Sequence, residues 1–147
     1  MEYGLLLFSH LAGLMVWAGA ILAVIMMLAM LKGQLGKPEA NALSVRIVST
    51  FSRLAHPASV VVLASGVIMI VRMGLSSDKP FWLDLMEKGG GTVILLFLIV
   101  AGVMGGKLKK RLTAQPGGTV ALTGYLTTMA VALTAILAIV LVVSLKL

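Results

Sequence analysis

Apolar positions gather into four long runs, at about residues 3–31, 54–72, 91–106 and 119–145. Glycine, proline and charge separate them. Lys32, Gly33, Gly36, Lys37 and Pro38 close the first run, and Lys107, Lys109, Lys110 and Arg111 close the third. About 20 apolar residues cross ~30 Å of hydrocarbon, so the first run is long enough to tilt or project. The third is short and can borrow residues from the segment before it. Glu2, with no positive charge ahead of the run, argues against a cleavable signal peptide and for a retained span.

Between these runs the pattern becomes amphipathic. A second helix is expected to start near 38–41, with Pro38 in its first turn. Its early part, through Arg46 and Arg53, is mixed, and it becomes continuously apolar from Leu54. Pro57 should kink it or mark its entry into the core, freeing a carbonyl near Arg53. In KPFWLDLMEK, residues 79–88, Phe81, Trp82, Leu85 and Met86 fall on one side. Ser77 or Asp78 would cap this piece and Pro80 would open it. It reads as a short helix in the interface, with Trp82 at headgroup depth. The expected fold is all-α: an integral membrane up-down four-helix bundle, one domain over 1–147, with a short interfacial helix between spans 2 and 3. Gly102 and Gly106 form a GxxxG pair suited to a close crossing. Thr123, Thr127, Ala130, Thr134 and Ala138 form a small-residue stripe that reads as a packing seam.

Composition agrees with the pattern: 60% of residues are hydrophobic and mean hydropathy is +1.10. There is no cysteine, which excludes disulfides and thiolate sites. The net charge of +7 is not a nucleic-acid signal, because the cations sit at the ends of apolar runs. Four cations (Lys32, Lys37, Arg46, Arg53) lie in the 1–2 connection and four (Lys107, Lys109, Lys110, Arg111) in the 3–4 connection. The other side carries Arg72, Lys79, Lys88 and Lys146, diluted by Glu2, Asp78, Asp84 and Glu87. Eight against four places the 1–2 and 3–4 loops in the cytoplasm and both termini outside a cell membrane.

Little conventional catalytic chemistry is on offer. No Asp or Glu is expected inside any span, which argues against a carboxylate proton relay, no Ser–His–acid arrangement is visible, and Gly89–Gly91 lacks the rest of a phosphate loop. What remains is two histidines and ten methionines. His10 precedes Trp17 by seven residues, about two turns, so both share a face with Gly13 between them. A small residue beside the rings leaves room for a flat group or a close neighbouring helix. An ionisable residue within a span is a functional candidate by default. The plainer reading is a neutral imidazole bonded to another helix. His56 lies early in the apolar part of span 2. With span centres near Trp17 and Leu63, the two imidazoles come out on the order of 20 Å apart in depth at ~1.5 Å per residue. They cannot share one metal, so a cofactor reading needs two sites, or one site with a non-histidine second ligand.

Methionine can complete either one, because His/Met pairs hold haem iron and thioethers suit Cu(I). Met26, Met27 and Met30 are placed near the depth of His56, with Met104 at the same end of span 3. Met69 and Met73 are placed near the depth of His10. Arg53, three residues before His56, could pair with a haem propionate or act as a positive-inside anchor.

These residues resemble a family. His10, Trp17 and Gly19 resemble the opening signature of the CopD-like copper-resistance domain. Phe51, Ser52, Arg53, Leu54 and Ala55, followed by Ser65 and Gly66, resemble its second-span signature, and the basic end of span 3 fits. HemJ-type protoporphyrinogen oxidases share the histidine–tryptophan spacing and a proline early in span 2, as at Pro57. Short four-span members such as the DUF2269-like group are about this size. The likeness covers roughly residues 5 to 112. The span-3 lysine of both relatives has no counterpart here, where Leu95, Leu96 and Phe97 stand. The resemblance implies a four-helix membrane bundle that holds haem or handles copper.

The leading expectation is a small haem b redox or electron-transfer protein, a membrane oxidoreductase if it is an enzyme. His10 and His56 are the axial-ligand candidates, with Gly13, Trp17 and Arg53 beside them. A copper-handling permease or accessory protein using His10, His56, Met26, Met30 and Met69 comes second. A cofactor-free scaffold is third. The expected partners are the lipid bilayer and either a redox partner or further copies of the chain.

Overall fold

The computed structural model describes residues 2–74, 80–114 and 120–146. Helix α1 spans Glu2–Leu31 and ends in a 3-10 turn over Lys32–Gln34. Helix α2 spans Pro38–Met73, α3 spans Phe81–Ala114 and α4 spans Thr123–Leu145. All four are long and apolar enough to cross a membrane, and no strand occurs among the described residues. The fold is an all-α bundle of membrane-spanning type. Each helix packs on its sequence neighbours, α4 closes the ring against α1, and diagonal pairs have little backbone contact.

Periodic small and apolar positions fix the packing faces. On α1 the inward stripe is Gly13, Trp17, Ile21, Val24 and Leu28. Gly13 lets α2 come close: a Cβ there would lie 2.9 Å from Val62 Cγ2 and 3.3 Å from the Ala58 carbonyl oxygen. The centre, where backbones do not meet, is filled by rings. Trp17 stands edge-on to Phe97 at 4.9 Å, and Phe51 edge-on to the same ring at 6.2 Å. Such pairs contribute about 0.5–1.5 kcal/mol beyond the area they bury.

At 36 residues, α2 is ~54 Å long by its rise and overruns the hydrocarbon. Pro38 occupies its first turn, as the sequence predicts, and Pro57 lies inside it. The buried Ser44, Ser59 and Ser65 hydroxyls donate to carbonyls four residues back, so none is left unpaired in an apolar interior. Gly74 ends the helix at φ +63°, a left-handed cap that suits glycine.

Helix α3 differs most from its sequence outline. The amphipathic piece after residue 79 is not a detached interfacial helix but the first turns of α3. An α turn over Phe81–Asp84 passes into a π segment over Leu85–Gly90 and then into α-helix over Gly91–Ala114. Pro80 stands at the N-cap, where its carbonyl accepts from the Leu83 and Asp84 amides. The proposed Ser77 or Asp78 cap lies outside the described residues, as does the turn at 115–118. At the other end, Leu108 and Leu112 continue the buried stripe of Ile94, Phe97, Ala101 and Gly105. The lysines between them ride the outer face without ending the helix.

Two expected seams move. Gly105, not Gly106, is the close-packed glycine: its Cβ would lie 3.4 Å from Val48 Cγ1, whereas Gly106 meets nothing within 4 Å. The threonine–alanine stripe of α4 faces outward, and Leu122, Tyr125, Met129 and Ile136 face in. That helix starts at Thr123, four residues later than the apolar run.

Candidate functional site

At the end of the bundle that carries both termini, the four helices line a partly open cavity of about 450 Å³. Its walls are mostly aliphatic, and its polar lining comes from Tyr3, His10, Trp82, Glu87 and Ser144. Glu2 and Arg72 pair at 2.9 Å, joining α1 to α2 at this end. Asp84 and Lys88 pair at 2.7 Å along α3.

His10 is held from behind. Its Nδ1 lies 3.0 Å from the Val62 carbonyl oxygen and 3.2 Å from Ser65 Oγ. A carbonyl only accepts, and Ser65 already donates to Val61 at 2.6 Å. Nδ1 therefore carries the proton and donates to Val62, and the lone pair of the neutral imidazole sits on Nε2. The ring fits because residue 66 is glycine: a Cβ there would lie 3.3 Å from His10 Cε1. A carbonyl behind one ring nitrogen is how proteins orient the other toward a metal.

His56 repeats this arrangement in a different crossing. Its Nδ1 donates to the Ser52 carbonyl at 2.9 Å, and its Nε2 would be 3.5 Å from a Cβ on Gly102. His56 does not line this cavity. The anchors of the two rings, Val62 and Ser52, are ten residues apart on α2, ~15 Å by helical rise. That is shorter than the 20 Å expected, because the side chain of His10 reaches α2 closer to the bundle centre. It remains too far for one metal.

The other candidate residues separate. Met69 is only 4% exposed and lines the His10 cavity with Met73 and Met86. Met26 and Met30 are 58% and 79% exposed. They point away from the bundle, which corrects their placement beside His56: they lie off the stripe that turns α1 inward. Trp17 is fully buried in the ring cluster and Gly13 lies under Val62; neither lines the cavity. Arg53 is exposed on α2 at the basic end of the bundle, remote from His10.

Sequence reasoning missed Glu87 and Met86 as cavity residues and took the spans to be free of acids. Glu87 belongs to α3 itself. The available signal was the glycine triplet 89–91 directly after an amphipathic segment, which permits an irregular helix. Among the described residues no three His, Asp or Glu side chains form a metal-binding group. No protein family, curated protein or solved structure matches this chain. The fold and site thus define a class, a four-span helical membrane bundle with a histidine-bearing apolar cavity.

Proposed function

We propose that this chain is a small haem b protein that carries single electrons in a membrane, with His10 as an axial ligand. The observation behind this reading is the pairing of a backbone-anchored imidazole with an apolar cavity of about 450 Å³, a size typical of small-ligand sites. Aliphatic walls suit a macrocycle, and a neutral imidazole is a haem ligand. When bound, the haem supplies one-electron exchange at its iron. The chain's own part is to hold His10 in one tautomer and keep water from the ring. His56 does not line this cavity and serves as a packing histidine. Arg53 acts as a membrane-flank anchor.

The eight-to-four distribution of basic residues supports a cell-membrane orientation with the basic end in the cytoplasm. The cavity then belongs to the outer half. The CopD-like signature residues agree with this class.

One observation favours a copper reading in second place. Met69, Met73 and Met86 share the cavity with His10, and an imidazole among thioethers suits Cu(I). Purification from cells with ample haem and copper, followed by an absorption spectrum and metal analysis, separates the two. Haem binding gives a Soret band with about one iron per chain. Copper without a Soret band moves the function to copper handling, and neither leaves a scaffold.

A further inference from the structure

We infer that Met86, carried on the π segment of α3, is the second ligand to the group bound by His10. This rests on the haem reading above. The direction of the His10 ring selects among the methionines. Its Nδ1–H is directed into α2, at the Val62 carbonyl 3.0 Å away. The two nitrogens of an imidazole point away from each other, so an ion on Nε2 lies on the side of the ring turned from that contact. A side chain completing the site across from His10 would lie farther still from the contact. Of the three methionines lining the cavity, Met69 and Met73 ride on α2, the helix that the Nδ1 edge of the ring contacts. Met86 rides on α3.

The backbone at Met86 gives an independent reason. Leu85–Gly90 is a six-residue π segment inside an otherwise α-helical span. Such segments are uncommon and frequently sit at functional sites, because the wider turn re-aims the side chains it carries. Here Met86, Glu87 and Gly90 all line the cavity. The segment packs against α4: Cβ atoms on Gly89 and Gly90 would lie 3.5 and 3.9 Å from Ile139, which also lines the cavity. Gly89 also lies against Leu85, with a Cβ position 3.2 Å from its Cδ1. The irregular turn is thus packed in place with a soft, neutral donor on its cavity side. A thioether needs no deprotonation to bind iron, which suits an apolar site, and its flexible chain tolerates imprecise reach.

The test uses the full chain, purified with haem, and reads spin state and midpoint potential. Wild type should be low-spin in the ferric state and show a long-wavelength sulfur-to-iron band. Met86→Leu conserves volume and should keep haem and melting temperature while turning high-spin, losing that band and dropping in potential. Met86→His should restore low spin without the band, and Met26→Leu, at an exposed position off the cavity, should match wild type. A low-spin Met86→Leu protein that keeps the sulfur band overturns the assignment, as does wild type that binds haem but is high-spin. Wild type without haem overturns the functional reading and this assignment with it. If Met86→Leu fails to fold, Met86→His decides: an unchanged sulfur band there also overturns it.

Discussion

The His10 ring lies against the bare backbone of Gly66, where a Cβ would come within 3.3 Å of Cε1 and 3.5 Å of Nδ1. That space allows the imidazole to reach the Val62 carbonyl. Gly66→Ala should therefore push the ring off its anchor while barely touching the rest of the bundle. Weakening a partner that orients a ligand typically costs about 10–100-fold in affinity. We expect haem affinity to fall by roughly tenfold on that scale, read by titrating haem into purified protein. Unchanged affinity would mean that the carbonyl anchor does not set ligand strength.

Gly13 and Gly106 give a paired test of packing. A Cβ at Gly13 would lie 2.9 Å from the stiff, branched Val62 side chain and 3.3 Å from backbone. Gly13→Ala should cost about 1–3 kcal/mol of stability in detergent through overpacking. Gly106 faces open space, so Gly106→Ala should be neutral or gain about 0.5–1 kcal/mol from helix propensity. Thermal melts of both variants check the contrast. Equal destabilisation would place α3 in a different rotation.

Orientation follows from charge and is tested by labelling. The chain has no cysteine, so single cysteines report cleanly. Gln34→Cys and Thr113→Cys, at the basic end, should be protected from an impermeant thiol reagent in whole cells. Phe81→Cys, at a position 66% exposed near the other end, should react. The opposite labelling pattern would invert the bundle in the membrane.

The spans were legible because apolar length alone reports them. Their faces and ends were less so. Glycine spacing picks a pair but not its rotation, so Gly102 and Gly106 stood out while Ala101 and Gly105 carry the buried stripe. The α4 stripe misled in the same way: small residues mark close approach only when another helix lies over them, and here the larger Tyr125, Met129 and Ile136 fill the interior. Cations at 107–111 looked like a helix end because the buried Leu108 and Leu112 are hidden among them. The glycine triplet 89–91 permits an irregular helix but does not specify a π segment, whose packing against Ile139, some fifty residues away, no local pattern reports. His10 was legible as a candidate; its anchor on Val62 was not, because it depends on the register of α1 against α2.

That register also decides how the two histidines behave. Both donate from Nδ1 to an α2 carbonyl, and both rest near a glycine of the next helix, so neither hydrogen bonding nor contact separates them. The cavity does: His10 lines it and His56 does not. Their anchors, ten residues apart on one helix, lie ~15 Å from each other, which excludes one shared iron. His10→Ala should lose nearly all haem, because it removes the only imidazole facing the cavity. His56→Ala should keep haem, and should cost instead about 1–3 kcal/mol of thermal stability, the range for small core deletions and lost hydrogen bonds. Arg53→Ala, at the basic end, should leave haem content unchanged. Haem per chain by pyridine haemochrome, with melting curves, reads all three variants. Loss of haem in His56→Ala with the melt unchanged would move the site to the α2–α3 crossing and bring Arg53 back as a propionate partner.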